Sequence, residues 1–259
     1  MKVTKFTLFR IVLLLACLAT VAAISAHQRD ATRSWEKSIE VSIFPINVDG
    51  TQATQRYIDQ LDDKDFDIIN RWGAREAKRY SMPLKQPFNV TKGDTIDSLP
   101  PRFPKNAHSF SVLLWGLRLR YWAWRHTPDD GGGLTRVRMF VLYQEGNDSD
   151  ALEHSLGLQK GLIGLVHAFS DKDQTQQNNI VIAHELLHTV GAADKYDVNG
   201  NPVQPVGLAH PNRRPMYPQR AAEIMSGRIP RSALRSTMAE SLKHVVVNPY
   251  TATEINWIK

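Results

Sequence analysis

The pattern of apolar and polar positions predicts alternating strands and helices after an apolar N-terminal run. Residues 39–46 alternate apolar and polar, which indicates a first strand, and residues 52–80 carry apolar side chains at helical spacing. We expect that second segment to break near residues 62–65. The stretch 83–104 contains several prolines and predicts a long loop.

The aromatic segment 110–124 carries two conflicting patterns. Alternation through residues 117–121 favours a strand, whereas apolar residues elsewhere in the segment recur at helical spacing, and we predict a helix. Clearer strands are predicted at 137–143 and 162–169. This order of elements predicts an α/β (α+β) domain.

A further helix is predicted from Ile180 to Val190. Asn178 or Asn179 can cap its start, and Gly191 can end it by adopting positive φ. Because the segment is largely apolar, we expect it to be buried. The polar side chains that it carries therefore need a partner or a chemical role.

The first 26 residues form a targeting segment. Three basic residues precede an apolar run over 11–24, and small residues follow it. We predict either a signal peptide or a membrane anchor through residues 6–26, with the protein exported to the periplasmic or extracellular side. The remaining residues, 27–259, are long enough for one catalytic domain.

Composition narrows the classes of function. Of 32 basic residues three lie in the first 26, which leaves 29 against 26 acidic ones, so we expect no nucleic-acid partner. Three tryptophans lie among arginines, and we expect them to pack in the core; they are Trp115, Trp122 and Trp124. Cys17 is the single cysteine, so a metal site in the domain would use His, Asp or Glu.

The predicted helix 180–190 carries the sequence His184-Glu185-Leu186-Leu187-His188. Histidines four residues apart project from one face of a helix, where both imidazoles can bind one zinc ion. Glu185 lies beside the first histidine and could act on a water bound to the zinc. The alternative is a buried helix whose histidines are satisfied by ordinary hydrogen bonds.

The longer stretch from His184 to Asp194 reads H-E-L-L-H-T-V-G-A-A-D. It resembles the metzincin metallopeptidases, whose pattern is H-E-x-x-H-x-x-G-x-x-H/D. The resemblance implies that His184, His188 and Asp194 bind Zn²⁺ and that Glu185 is the catalytic general base. Aspartate in the third place is similar to the snapalysin type. The fold implied is a small twisted mixed sheet with an active-site helix and a C-terminal helical part.

Two further features belong to that resemblance. Metzincins carry a tight turn with a methionine beneath the metal, and Met225 in Glu-Ile-Met-Ser-Gly follows Asp194 by 31 positions. Gly227 stands where some metzincins have a tyrosine that stabilises the transition state. The family also uses an edge strand to align the substrate, which we place at residues 164–169.

Three other residues compete with Asp194 as the third ligand. Asp197 follows closely in the sequence, and His210 lies in a proline-rich loop. Glu223 would be the ligand if the site were of the gluzincin kind, in which a later glutamate completes the metal site.

These features together predict a zinc-dependent endopeptidase that hydrolyses protein or peptide substrates. The alternative is an exported, non-catalytic binding or scaffold protein with a metzincin-like fold, in which zinc is structural or absent. An intact Glu185 favours the enzyme, because a purely structural zinc site does not need a base.

Overall fold

A five-stranded mixed sheet lies at the centre of the protein in a computed structural model, which describes residues 4–104, 108–127, 135–146, 155–159 and 161–258. The elements of the first half are α1 (Lys5–Ser34), β1 (Ile39–Asn47), α2 (Gln52–Gln60), α3 (Asp63–Arg79), β2 (Phe88–Lys92), α4 (Ser109–His126) and β3 (Val137–Gln144). Those of the second half are β4 (Leu156–Leu158), β5 (Ile163–Phe169), α5 (Thr175–Thr189), β6 (Ala222–Glu223), β7 (Arg228–Pro230), β8 (Ser236–Met238), β9 (Val245–Val246) and α6 (Pro249–Glu254).

The central sheet has the strand order β2-β1-β3-β5-β4, and only β4 runs antiparallel to its neighbour. Helices α3 and α5 pack on one face around the larger apolar cluster, and α4 covers the other face with a smaller one. Because both faces are covered, β1, β3 and β5 are apolar along most of their length. The expected mixture of strands and helices is confirmed. The expected C-terminal helical part is wrong, because after α5 the described chain forms short strands and loops and only one α-helix, the six-residue α6.

Two sequence predictions about the strands are wrong. β2 lies inside the stretch predicted as a loop, where its buried Phe88 and Val90 pair beside β1. Residues 164–169 do not form an edge, because β5 lies between β3 and β4. β4 is the edge strand, and with three half-buried residues it is too short to show a period in the sequence.

Helix α5 begins at Thr175, one turn before the asparagines predicted to cap it. Both asparagines are buried inside the helix and bind neighbouring backbone instead. Asn178 accepts from the Phe169 N–H at 3.3 Å and donates to the Phe169 carbonyl at 2.9 Å, which joins α5 to the end of β5. The helix ends as predicted before Gly191, which has a φ of 107°.

Helix α1 contains the apolar N-terminal run and continues to Ser34 without a break at residue 26. It is long and apolar enough to cross a membrane, as a signal sequence near an N-terminus also is. Its last turn lies on the domain, where Arg33 donates to the Glu254 carbonyl at 2.6 Å. Trp35 then ends the helix with a φ of 54° and donates to the Ile255 carbonyl at 2.6 Å.

Helix α4 is a helix as predicted, but its tryptophans divide between two environments. Trp115 and Trp122 are buried against the sheet, as expected. Trp124 is 68% exposed, so the expectation that it packs in the core is wrong. On a helix, position 124 points away from the face that carries 115, 119 and 122.

Candidate metal centre

Three side-chain atoms meet at the C-terminal half of α5. Since His184 and His188 are one turn apart on one face of the helix, their Nε2 atoms approach to 3.1 Å. Oδ1 of Asp194 lies 3.1 Å from each of these nitrogens. The three atoms thus form a nearly equilateral triangle, open enough on one side to leave Asp194 partly exposed.

The other nitrogen of each imidazole faces a backbone carbonyl. Nδ1 of His184 lies 3.0 Å from the Ile224 oxygen, and Nδ1 of His188 lies 2.8 Å from the Ala192 oxygen. A carbonyl can only accept, so both Nδ1 atoms carry the proton, and in neutral imidazoles both Nε2 atoms present lone pairs. Metal-ligating histidines usually have this arrangement.

Three lone pairs then converge on one point, which is repulsive unless a cation lies between them, either a metal ion or a proton on one imidazole. Without a metal, the pKa shifts favour the proton. Burial opposes the charged imidazolium of His188, but Asp194 and the Ala192 carbonyl raise its pKa. Burial likewise opposes the Asp194 carboxylate, yet the two histidines hold its pKa well below the usual range. This donor set of two imidazoles and a carboxylate fits zinc.

Glu185 lies beside the histidines and is 5% exposed. One of its oxygens and one nitrogen of each histidine lie within 4.8 Å of one another. Its Oε2 is buried and has no hydrogen-bond partner among the residues that the structure describes. Burial raises the pKa of Glu185, although the neighbouring histidines and the backbone of Gly157 oppose the rise. A buried carboxylate oxygen without a donor is costly, and this one lies against β4, 3.1 Å from where a Cβ on Gly157 would stand.

Asp194 is held in place by the C-terminal helix α6. The Glu254 carboxylate accepts from the Ala193 N–H at 3.0 Å and from Lys195 Nζ at 2.6 Å, which are the residues on either side of Asp194. Lys195 is almost fully buried, so its ion pair with Glu254 fixes this short segment firmly. The turn at Gly191 brings the segment back over α5.

Two of the rival ligands lie elsewhere. Oδ1 of Asp197 accepts from the N–H groups of Asn199 and Asn201, each at 2.9 Å, so this carboxylate closes a turn. The pKa of His210 is lowered by burial and by nearby arginines, Arg79 first among them, and among the described residues no hydrogen bond joins its ring to the triangle.

The third rival, Glu223, is fully buried and already bonded at both oxygens. It accepts from the Met225 N–H at 2.6 Å and from the Thr251 hydroxyl at 2.6 Å. Its carboxylate therefore supports the chain around residue 225 and does not enter the triangle.

The segment from Glu223 to Gly227 forms a tight turn directly against the first histidine. The N–H groups of Ser226 and Gly227 both bind the Glu223 carbonyl, at 3.0 and 2.9 Å, and Gly227 has a φ of 67°. Ile224 supplies the carbonyl that receives His184 Nδ1. Met225 is completely buried beneath this turn. The turn is the one that the sequence around residue 225 predicts.

The edge strand β4 lies directly on the histidine-bearing turns of α5. A Cβ on Gly157 would approach the Glu185 carbonyl oxygen to 2.4 Å and the Cβ of His188 to 2.5 Å, so only glycine allows this contact. Nothing in the sequence indicates this role of Gly157, because it depends on a strand too short to be predicted.

Tyr196 is a second residue near the histidines whose role the sequence does not indicate. Its ring stacks on His184 with 6.2 Å between centroids. Burial, together with the charge of Asp194 and a hydrogen bond to it, raises the pKa of Tyr196 to about 12. The phenol is therefore neutral at ordinary pH and can donate a hydrogen bond at the site.

No protein-family model matches this chain, and no curated protein gives a significant match to its sequence. The function is therefore inferred from the geometry of the site.

Proposed function

We propose that the protein is a zinc-dependent endopeptidase of metzincin type that acts on protein or peptide substrates outside the cytoplasmic membrane. One observation carries the proposal: Nε2 of two histidines and a carboxylate oxygen of Asp194 converge beside the buried carboxylate of Glu185. A purely structural metal site has no use for that carboxylate.

Zinc would be held by Nε2 of His184, Nε2 of His188 and Oδ1 of Asp194. When bound, zinc supplies the Lewis acidity that activates a water molecule and polarises a peptide carbonyl. Glu185 takes the proton from the attacking water and delivers it to the departing amine, as a general base and then a general acid. Tyr196, neutral and next to His184, is hydrogen-bonded to Asp194 here and would have to turn from that carboxylate to donate to the oxygen that becomes negative.

Three features of the fold support the metzincin resemblance. An antiparallel edge strand lies against the active-site helix, where an extended peptide could add to the sheet. A methionine-containing turn supports the first histidine from below. The segment after Gly191 turns back to bring Asp194 to the histidines. The apolar α1 supports export, either as a signal sequence or as an anchor.

The test is to purify the full chain in detergent and to measure bound metal by mass spectrometry beside cleavage of a peptide library. We expect about one zinc per chain in the wild type and in Glu185→Ala, loss of zinc in His188→Ala, and cleavage only by the wild type. A folded wild type that takes up no zinc after supplementation would contradict the proposal. Zinc without cleavage of any peptide would favour the non-catalytic binding protein.

A further inference from the structure

The outward face of α4 is an apolar stripe that covers nothing in the described part of the molecule. Its members lie three or four residues apart, except for two adjacent leucines, and are 38% to 71% exposed; they are Phe110, Leu113, Leu114, Leu117, Tyr121 and Trp124. At 100° per residue they fall within about 100° of arc, directly opposite the buried Leu119. We call these six residues the α4 stripe.

The chemistry of the stripe is that of a helix at a lipid surface. Leucines and one phenylalanine occupy its first half, and the two amphipathic rings, Tyr121 and Trp124, occupy its end. Arg118 and Arg125 are exposed along one margin. Helices that lie in the membrane interface combine an apolar face with basic flanks, and tyrosine and tryptophan prefer the headgroup level. A contiguous apolar surface of this size marks an interaction site.

Helix α1 leaves very little space between a bilayer and the domain. Its apolar run ends at Ile24, and Gln28 is already buried four residues later. Four residues of helix rise about 6 Å, and one headgroup layer is about 5–7 Å thick. An α1 that crosses the bilayer therefore holds some face of the domain against the headgroups.

The topology brings the C-terminal end of the stripe and the end of α1 to the same edge of the sheet, on its opposite faces. Trp35, just after α1, packs on Phe88, the first residue of β2, with 5.8 Å between ring centroids. The end of α4 lies at the start of β3, where Arg138 donates to the Thr127 hydroxyl at 3.4 Å. Parallel strands β1, β2 and β3 all begin at this edge.

We propose that the α4 stripe is a second membrane contact, which lies in the interface of the bilayer that α1 crosses. The leucines enter the acyl boundary, Tyr121 and Trp124 lie at headgroup level, and Arg118 and Arg125 bind the phosphates of anionic lipids. This surface is independent of the metal centre and does not rest on the proposed peptidase activity.

The test uses the full chain with Cys17→Ser, reconstituted in vesicles of phosphatidylethanolamine and phosphatidylglycerol. A nitroxide is attached to Leu117→Cys in the stripe or to Leu234→Cys, a matched leucine that is 91% exposed away from α4. Relaxation by oxygen, which concentrates in lipid, is compared with relaxation by a water-soluble nickel chelate. We expect the oxygen-to-nickel ratio to be about tenfold higher at 117 than at 234.

Equal ratios at the two positions would overturn the proposal, because the stripe would then face water. Spin–spin broadening at 117 that disappears on dilution with unlabelled protein would also overturn it, by showing that a second copy covers the stripe. Arg118→Glu with Arg125→Glu should lower the ratio at 117, because like charges repel the anionic surface. An unchanged ratio in that double variant would overturn the part assigned to the arginines.

Discussion

Glu185 and Glu223 are both buried carboxylates on the same side of the sheet, yet their surroundings differ. Both oxygens of Glu223 accept hydrogen bonds, one from the Met225 N–H and one from the Thr251 hydroxyl. Oε2 of Glu185 accepts none from the described residues, and the carboxylate lies beside two histidines. An unsatisfied buried acceptor lowers the stability of the fold by about 1–3 kcal/mol. Glu185 therefore destabilises its surroundings, whereas Glu223 does not.

The difference separates a carboxylate that holds the fold from one that is available for chemistry. Glu223 ties the methionine turn to α6 through Thr251, so its bonds serve the chain itself. Glu185 keeps Oε2 without a hydrogen bond from the described residues and lies within reach of both histidines. Each of the following experiments tests this distinction.

The largest expected effect is on catalysis. Glu185→Gln should lower peptide hydrolysis about 10³-fold while zinc stays bound, because an amide cannot accept the proton of water. Glu223→Gln is the matched control and should change the rate no more than about tenfold, since the Thr251 hydroxyl can accept as well as donate. Rates on one peptide substrate, with metal content measured in the same samples, decide the matter. Equal losses in the two variants would remove the distinction between the glutamates.

A second pair of variants tests the ligand that completes the triangle. Asp194→Asn should weaken zinc binding at least about 100-fold, because the site loses its anionic oxygen. Asp197→Asn should bind zinc as the wild type does, since an amide oxygen can keep the turn bonds to residues 199 and 201. Competition with a fluorescent chelator measures both affinities. A reversed order would make Asp197 the ligand.

The pH dependence of stability tests the other carboxylate. Burial, against the hydrogen bond from Thr251, raises the pKa of Glu223 to about 7 from the ordinary value of 4.5. The folded protein therefore keeps a proton between pH 4.5 and 7 that the unfolded chain releases. The stability due to this group is complete below pH 4.5, falls as pH rises to about 7, and then stays constant.

Glu223→Gln has no such proton, so over that interval the wild type should lose about 3 kcal/mol more of its unfolding free energy than the variant. Chemical denaturation at several pH values measures both proteins. The metal ligands titrate in the wild type and in the variant alike, so their contribution cancels when the two unfolding free energies are subtracted. Parallel curves would mean that Glu223 titrates normally in the folded state.

The smallest expected effect concerns a residue that acts through Asp194. Glu254→Gln weakens the bond to the Ala193 N–H and leaves buried Lys195 without its anion, so Asp194 is held less firmly. Zinc affinity should fall about tenfold, as is usual for residues that support a ligand. Glu240→Gln, an exposed glutamate, is the control and should have no effect. Unchanged affinity in Glu254→Gln would show that Asp194 is positioned without α6.

Local sequence patterns were sufficient to predict the elements that are long enough to show a repeating spacing of apolar residues. The first strand, the break between α2 and α3, the helical form of α4 and the end of α5 at Gly191 all follow from spacing or from the preferences of single residues. Strands β2 and β4 were missed because they have five and three residues, too few for a period to be visible.

At the candidate site, the sequence predicted residues that form a recognisable local motif. It did not predict residues that reach the site only through tertiary contacts. Glu254 lies 61 positions from Ala193, and nothing in its local sequence indicates the contact. Gly157 matters because α5 passes behind it, and Tyr196 matters because its ring meets His184. Asn178 is the reverse case, because its local sequence indicated a role that it does not have. It was expected to cap α5, and it binds the backbone of the neighbouring strand β5 instead.

The last turn of α1 also reaches the segment that links the two histidines to Asp194. The guanidinium carbon of Arg33 would lie 3.8 Å from a Cβ on Gly191, which stands between His188 and Asp194 in the chain. Because α1 continues into this contact without a flexible linker, a retained anchor would fix the active site at one height above the bilayer. Such an enzyme would choose among membrane proteins by how far a peptide bond lies from the lipid, in addition to the side chains around that bond. Confinement to the same surface would also raise the local concentration of those substrates without any new contact.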